Sequence, residues 1–257
     1  MKLVFHKYQG TGNDFIMIDD RKSLFPESNL SLIRKLCDRK FGIGADGLIL
    51  IREYKGLDFD MVYFNSDGTQ SLCGNGSRCA VMFARSLGIC GDQARFNTIE
   101  GHLRATVEND RVHLGMPDVH EVKQVGSDLF INTGSPHYIR YVKDVKNFDV
   151  YEEGRAIRYS GQYGERGTNV NFVEPDGDNS IFVRTYERGV ENETLSCGTG
   201  VTASALAHSL KGHASPVTVD TPGGTLAVSF MKNDNGGFNT ITLIGPAEKV
   251  FEGSIEI

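Results

Sequence analysis

The sequence of 257 residues lacks the features by which several classes of protein are recognised. No apolar stretch approaches the roughly 18 residues that cross a membrane as a helix, and no run of basic residues offers a surface to nucleic acid. The net charge of -6 also disfavours contact with nucleic acid and with anionic membranes. We therefore expect neither a membrane nor nucleic acid among the partners of this chain.

Cysteine is scarce and shows no pairing pattern. The chain has 5 cysteines, an odd number, with no Cys-x-x-Cys pair and no Cys/His spacing typical of a zinc site. A disulfide framework and a bound metal are therefore not expected. Residues 1–7 become polar too early for a secretory signal. These features predict reduced thiols in a cytoplasmic protein.

Nucleotide-binding motifs are also missing. No P-loop lysine motif occurs, and the one Gly-x-Gly-x-x-Gly match, Gly42–Gly47, has the wrong surroundings. A dinucleotide fingerprint needs an apolar strand before it and a helix after it. Here the polar residues 38–40 precede the match, and the strand-like Leu48–Ile51 follows it. The sequence therefore predicts no dinucleotide cofactor.

What the chain does contain is an internal repeat. Cys73-Gly74-Asn75-Gly76 recurs in the second half as Cys197-Gly198-Thr199-Gly200, and the same offset separates Gly88 from Gly212. Glycine commonly follows the end of a helix, so each motif is expected to precede a helix that ends at one of these two residues. Such a repeat, of roughly half the chain, indicates two copies of one domain.

The repeat and the local patterns together predict the fold. Short segments rich in Val, Ile, Phe and Tyr, separated by Gly, Asp and Asn, are typical of strands. The expected helices Ser77–Leu87 and Val201–Lys211 are apolar on all sides and should be buried. We predict an α+β fold with two pseudo-symmetric domains, each a barrel-like sheet wrapped round a central buried helix. The domains are expected at 1–116, joined by a C-terminal strand within 246–257, and at 117–245.

A cysteine before a glycine-rich helix start has a defined chemistry. The first N–H groups of a helix have no intrahelical partner, and the helix dipole places partial positive charge there. Glycines allow a carboxylate to approach that backbone, and a thiol there ionises more readily. Two such motifs in facing domains predict a base and an acid on opposite sides of one α-carbon. Because helix termini would stabilise the carbanion, this chemistry needs no cofactor.

The sequence resembles diaminopimelate epimerases over essentially its whole length. Each matching piece is short, but their order along the chain is specific. The matching segments are Gly10–Phe15, Phe41–Gly47, Phe64–Gly68, Cys73–Arg78, Pro136-His137, Asn169-Val170, Tyr186–Gly189 and Cys197–Gly200. The resemblance implies a cofactor-independent isomerase that interconverts LL- and meso-diaminopimelate in lysine and peptidoglycan precursor synthesis, and it implies a homodimer.

The resemblance also implies roles for individual residues. Cys73 and Cys197 would be the two acid–base thiols, and His137 and Glu187 would set their protonation. Backbone N–H groups would bind the carboxylate beside the reacting carbon, and other side chains would bind the distal amino acid. The first set is Gly74, Asn75, Gly198 and Thr199, and the second is Asn13, Asn65, Asn169, Glu187 and Arg188. One departure from the family is Ser135, where Asn often precedes Pro-His.

Structural roles are the alternatives for these residues. His137 could be a core histidine, Glu187 and Arg188 an exposed ion pair, and the asparagines turn formers. The remaining cysteines, none of which opens a glycine-rich helix, are expected to be packing residues. They are Cys37, Cys79 and Cys90.

Three other functions fit parts of the pattern. A proline or hydroxyproline racemase would share the thiol pair, although such enzymes tend to have His where this chain has Asn75. A thiol redox or peroxide-sensing protein would cycle the cysteines through a disulfide. A non-catalytic amino-acid-binding protein would bind without proton exchange. Exchange of the α-proton of diaminopimelate in heavy water distinguishes each of these functions from that of a diaminopimelate epimerase.

Overall fold

The computed structural model describes residues 2–164 and 167–257, which fall into two units. The first unit is Met1–Leu114 with Gly245–Ile257, and the second is Gly115–Ile244. The first unit begins with strands β1 (Lys2–Gly10), β2 (Asn13–Asp19), β3 (Gly47–Arg52), β4 (Phe59–Asn65), β5 (Gln93–Thr98), β6 (Gly101–Glu108) and β7 (Arg111–Gly115). Helix α1 (Leu30–Cys37) precedes β3, and helix α2 (Gly74–Ser86) precedes β5.

The second unit contains the next strands and two helices. The strands are β8 (Val122–Val125), β9 (Asp128–Asn132), β10 (Pro136–Tyr141), β11 (Asn169–Pro175), β12 (Ser180–Glu187), β13 (Asn192–Thr194), β14 (Val217–Thr221), β15 (Gly224–Lys232) and β16 (Phe238–Pro246). The helices are α3 (Val150–Arg158) and α4 (Gly198–Ser209). The chain then returns to the first unit as β17 (Glu248–Glu256), which pairs antiparallel with β1.

The two units share one succession of strand pairings. In the first, β1–β2 is antiparallel, β2–β3 parallel, β3–β4 antiparallel, β4–β5 parallel, and β5–β6 and β6–β7 antiparallel. The second repeats this succession through β9, β10, β11, β12, β14, β15 and β16. In each unit, one helix precedes the second strand of each parallel pair, as a parallel crossover requires. The shared topology confirms the internal duplication.

The second helix of each unit lies in the core of that unit. All residues of α4 except Thr199 are buried, and α4 packs against β9, β10, β11, β12, β14 and β15. Helix α2 packs against β1, β2, β3, β4 and β17. A sheet whose successive strands all contact one helix must curve around it. The predicted architecture of a strand-rich sheet around a buried helix is therefore confirmed.

Details of the helices differ from the sequence prediction. The motif glycines themselves form the first helical turns, because α2 begins at Gly74 and α4 at Gly198. Helix α3 was not predicted, because it is short, rich in charged residues and has Gly154, a weak helix former, in its middle. Gly154 is required there because a Cβ would lie 2.4 Å from the Cβ of Tyr186. Within the described residues, no helix is long and apolar enough to span a membrane.

Candidate active site

In the first unit, Cys73 caps the N-terminus of α2. Its backbone is extended, with φ -127° and ψ 111°, and its Sγ accepts a hydrogen bond from the N–H of Gly76 at 3.4 Å. The sulfur therefore lies at the positive end of the helix dipole. A Cβ on Gly76 would lie 3.1 Å from Ile49 Cδ1 and 3.3 Å from Phe15 Cε1. This glycine thus lets α2 pack closely against β2 and β3.

Asn13 presents a hydrogen-bond acceptor to Cys73. Its Nδ2 donates to Asp46 Oδ2 at 2.7 Å, and because a carboxylate accepts, this contact fixes the orientation of the amide. Asn13 Oδ1 then lies 3.6 Å from Cys73 Sγ and 3.4 Å from Asn75 Nδ2. The S–H group of Cys73 can donate to this oxygen. Asn13 therefore offers an acceptor that the thiol form of Cys73 can use.

A charged network holds Asp46 and Asn13 in place. Arg39 donates to Asp14 through two nitrogens at 3.0 and 2.7 Å, and to Asp46 at 2.8 Å. Lys7 Nζ lies 2.8 Å from Asp14 Oδ2. Burial raises the pKa of Asp14, but hydrogen bonds from Arg39 and Lys7 outweigh burial and hold this pKa well below its usual range. The Gly42–Gly47 segment therefore contains an aspartate, Asp46, that positions Asn13.

Arg78 supports the other side of Asn75. Its guanidinium is fully buried and donates to Asn75 Oδ1 at 3.0 Å, to Thr11 Oγ1 at 3.2 Å and to the Pro246 carbonyl at 3.2 Å. Burial lowers the pKa of Arg78 to about 10, so it remains a cation at neutral pH. Thr11 and Gly12 form the β1–β2 turn with φ of 51° and 82°. The buried cation thus ties this turn to the first turn of α2.

Asn65 ends β4 near the same network. Its Oδ1 accepts from the Tyr63 hydroxyl at 2.8 Å, and its Nδ2 donates to Thr69 Oγ1 at 3.0 Å. The N–H of the next residue, Ser66, donates to the Asp46 carbonyl at 3.1 Å. The structure therefore places Asn65 at the sheet edge that also carries Asp46.

In the second unit, Cys197 is the N-cap residue of α4, as Cys73 is of α2. Its backbone is extended, with φ -117° and ψ 109°, and it is 7% exposed. Its Sγ lies 3.5 Å from Oγ1 of the Thr199 hydroxyl. A hydroxyl can donate to a thiolate as well as accept from a thiol. Cys197 therefore has a neighbour that can stabilise its ionised form.

His137 reaches Cys197 through Thr199. Its Nε2 lies 2.9 Å from Thr199 Oγ1, and its Nδ1 lies 3.1 Å from Asn171 Nδ2. The ring is fully buried, and burial together with the charge of Arg188 lowers the pKa of His137 to about 3. His137 is therefore neutral at physiological pH.

The other candidate residues of this unit lie at the ends of β11 and β12. Asn169 Nδ2 donates to Ser135 Oγ at 2.9 Å, and its Oδ1 accepts from the N–H of Arg188 at 2.9 Å. Glu187 Oε2 accepts from the Thr194 hydroxyl at 2.9 Å. Asn169 thus links the loop before His137 to Arg188, and Ser135 supplies the acceptor despite its shorter reach.

Several residues of these networks were not singled out as site residues from the sequence. Asn171 lies two positions after Asn169 on β11, so both side chains point to the same face of the sheet. A polar residue between Val170 and the apolar pair Phe172-Val173 was the available signal for it. Arg78, Arg39 and Asp46 gave no such signal, because a sequence does not show whether a charged residue is exposed to solvent or belongs to a buried network. Of the cysteines expected to pack, Cys37 and Cys79 are buried and Cys90 is partly buried.

The buried histidines predict a loss of stability in mild acid. Burial lowers the pKa of His137 to about 3 and that of His208 to about 4, whereas the ordinary value is 6.5. Between pH 6.5 and about 4 the unfolded chain therefore binds more protons than the native state. The free energy of unfolding must decrease as the pH falls through this window.

Urea unfolding at pH 7 and pH 5 measures this effect, with His208→Phe as the matched variant. His208 stacks on His213 with ring centroids 3.7 Å apart, and phenylalanine keeps an aromatic ring there. Neither ring nitrogen of His208 has a hydrogen-bond partner among residues 2–164 and 167–257. We expect the variant to lose less stability than the native chain between the two pH values. An equal loss of stability in the variant and in the native chain would contradict the assignment of this effect to His208.

Solved structures identify the class of this fold. A phenazine biosynthesis protein of the PhzF family from Bacillus anthracis covers 100% of both chains with a TM-score of 0.80 and 15% identity. A hydroxyproline epimerase from Agrobacterium vitis, solved with trans-4-hydroxy-L-proline, matches 99% of this chain and 92% of its own at a TM-score of 0.72 and 14% identity. The two repeated units, each with a cysteine at the N-cap of a buried helix, thus have the fold of these two solved structures, one of which is an epimerase.

Sequence comparison narrows the class to one family. The profile of the family described as diaminopimelate epimerase matches residues 5–120 and 129–250. The diaminopimelate epimerase of Flavobacterium psychrophilum is 52% identical over 259 residues, covering 99% of this chain and 100% of its own. That of Aquifex aeolicus is 45% identical and covers 98% and 97%. The chain belongs to the diaminopimelate epimerase family and is an isomerase, as the sequence resemblance predicted.

Proposed function

We propose that this protein interconverts LL- and meso-diaminopimelate by moving the α-proton between Cys73 and Cys197, without a cofactor. Membership of the family supports the substrate. The observation that carries the mechanism is the repeated placement of a cysteine as the N-cap of a buried helix. The reaction would serve lysine and peptidoglycan precursor synthesis in the cytoplasm, and the enzyme would act as a homodimer.

In this mechanism the proton balance is simple. One thiolate removes the α-proton from one face of the carbon and becomes a thiol. The other thiol gives its proton to the opposite face and becomes a thiolate, so the pair ends with its protonation states exchanged. The carbanion formed between the two steps shares its charge with the adjacent carboxylate. Backbone N–H groups of Gly74, Asn75, Gly198 and Thr199 would bind that carboxylate at the helix termini.

The surroundings of the two cysteines support different resting states. Asn13 Oδ1 lies 3.6 Å from Cys73 and suits a thiol that donates to it. Thr199 Oγ1 lies 3.5 Å from Cys197 and can donate to a thiolate. The proposal therefore assigns Cys73 as the resting acid and Cys197 as the resting base. A pair that starts in opposite states can act in a single encounter with substrate.

The distal amino acid of the substrate would be bound by the remaining polar residues. A second zwitterion requires donors for its carboxylate and acceptors for its ammonium group. Arg188 can pair with the carboxylate in a bidentate manner, and Glu187 can accept from the ammonium. Asn13, Asn65 and Asn169 would complete this set, although Asn169 acts here partly by holding the backbone of Arg188.

Exchange of the α-proton in heavy water tests the proposal. The reduced enzyme is incubated separately with LL-diaminopimelate and L-proline, and deuterium at the α-carbon is followed by NMR. We expect exchange and formation of the meso isomer with diaminopimelate alone. Exchange into proline only would indicate a proline racemase, binding without exchange would indicate a binding protein, and thiol oxidation without exchange would indicate a redox protein. Each of these results would overturn the proposal.

A further inference from the structure

A continuous chain of polar groups leads from the core of the second unit to Cys197. It runs from Asn171 on β11 through the ring of His137 on β10 to the hydroxyl of Thr199 on α4, with spacings of 3.1 and 2.9 Å. The hydroxyl then lies 3.5 Å from the sulfur of Cys197. Asn171 and His137 are fully buried, so water does not compete for their hydrogen bonds. The direction of each bond is therefore set by the neighbouring groups.

The orientation of the Asn171 amide sets the direction of the hydrogen bonds in this chain. Its side chain contacts the Tyr138 carbonyl at 3.0 Å and the Thr185 hydroxyl at 2.9 Å. A carbonyl oxygen can only accept, so the atom facing Tyr138 must be the amide nitrogen. The same nitrogen faces His137 Nδ1 at 3.1 Å. Nδ1 of His137 is therefore offered a donor and must act as an acceptor.

The tautomer of His137 follows from that contact. A neutral imidazole that accepts at Nδ1 carries its proton at Nε2, and this N–H points at Thr199 Oγ1 at 2.9 Å. Since the hydroxyl oxygen accepts from His137, its own proton is available for donation to the sulfur of Cys197, 3.5 Å away. A doubly protonated ring would place an N–H group against the N–H of Asn171. His137 therefore acts as a fixed dipole.

We propose that Asn171 is a positioning residue that holds His137 in its Nε2–H tautomer, so that the Thr199 hydroxyl donates to Cys197 and stabilises its thiolate. The inference deepens the proposed function, on which it rests for the catalytic role of Cys197. The charged group that faces His137 is Arg188, whose positive charge also disfavours a protonated ring. Asn171, Thr199 and Thr185 are uncharged, so the chain works through dipoles.

Gly200 agrees with this role. A Cβ on Gly200 would lie 2.4 Å from Asn171 Oδ1 and 3.3 Å from Nδ1 and Cε1 of His137. The second glycine of the motif thus leaves space for the Asn171–His137 pair against the first turn of α4. In the first unit the matching Gly76 faces apolar side chains instead. The two copies of the motif have therefore diverged around their cysteines.

Two measurements on the full chain test the proposal. The first is the 15N–1H spectrum of the histidine side chains, which distinguishes an Nε2–H from an Nδ1–H imidazole. The second is the rate of alkylation of Cys197 by iodoacetamide as a function of pH, followed on the Cys197 peptide by mass spectrometry. Alkylation reports the thiolate, and the Cys73 peptide of the same sample is an internal reference. Neither measurement needs epimerase activity.

We expect the native chain to show the Nε2–H tautomer for His137. Asn171→Leu removes the donor to Nδ1 at similar volume and should broaden or divide this signal. It should also shift the pH profile of Cys197 alkylation upward by at least about half a unit, which slows alkylation about threefold at pH values below the pKa of Cys197. Thr185→Val is the matched control. It removes the hydrogen bond from the Thr185 hydroxyl to Asn171 Oδ1 but keeps the contact of Asn171 Nδ2 with His137. The tautomer of His137 and the alkylation rate of Cys197 should therefore be unchanged.

An Nδ1–H tautomer in the native chain would overturn the proposal even if Asn171→Leu failed to fold. An unchanged alkylation profile in a folded Asn171→Leu variant would also overturn it, as would an equal effect of Thr185→Val. Failure of the diaminopimelate exchange test, with these two results as expected, would instead reject the proposed reaction. The two hypotheses therefore fail separately.

Discussion

Replacing Cys73 or Cys197 by alanine is expected to reduce the conversion of LL- to meso-diaminopimelate by roughly 10²–10⁴-fold or more, the range typical of a lost acid–base group. Each substitution removes one of two groups that the inversion needs together. Because the thiols act as a unit, the double variant should be little slower than either single variant. The measurement is the initial rate of meso formation with saturating LL substrate, together with α-proton exchange in heavy water.

Cys90→Ala is the matched control for these variants. Cys90 lies in the same unit as Cys73, is partly buried, and burial raises its pKa to about 11. It is therefore a thiol at neutral pH, and its removal should leave the rate within about twofold of the native value. Unfolding curves for all variants exclude a folding defect as the cause. Full activity in a folded Cys73→Ala or Cys197→Ala enzyme would refute the two-thiol mechanism.

The second large effect is expected for Gly200→Ala. The added methyl group would lie 2.4 Å from Asn171 Oδ1, closer than such atoms can approach. Asn171 is buried and held by Tyr138 and Thr185, so it cannot move away freely. Overpacking of this kind costs about 1–3 kcal/mol of the free energy of unfolding. Activity should fall as well, because the clash displaces His137 and Thr199 from Cys197.

Urea unfolding and the exchange assay together check the expectation for Gly200→Ala. Gly161→Ala is its control, since a Cβ there meets nothing within 4 Å and this glycine does not have a positive φ. Combining Gly200→Ala with Asn171→Ala removes the clashing oxygen, so the double variant should lose less stability than the sum of the single variants. Additive losses would show that the clash is not with Asn171.

The two cysteines of the duplicated motif have nearly the same backbone conformation but different hydrogen-bonding partners. Each cysteine caps a buried helix with nearly the same dihedral angles. Around Cys73 the partners are Asn13 and a charged network through Asp46, and around Cys197 they are Thr199 and a neutral histidine. Helix termini supply a similar field at both positions. Our proposal is that these partners decide which thiol ionises first, and this difference is the basis of the assigned resting states.

Part of this structure could be predicted from the sequence because the signals were local or repeated. The Cys-Gly-x-Gly motifs, the buried helices that follow them and the turns at Gly88 and Gly212 depend on residues close together in the chain. The C-terminal strand was also predicted, but its pairing with β1 was not, because register depends on a distant partner. Helix α3 was missed because it is short, rich in charged residues and interrupted by Gly154, which is a weak helix former.

The sequence by itself determined the duplication, the two cysteines and the family, because these depend on which residues occur and in what order. Tertiary structure alone decided the orientation of Asn171, the tautomer of His137 and the burial of Arg78. Each of these depends on the direction in which a polar group meets a partner from another strand. A sequence records that such groups exist, whereas the folded chain determines which atom donates and which accepts.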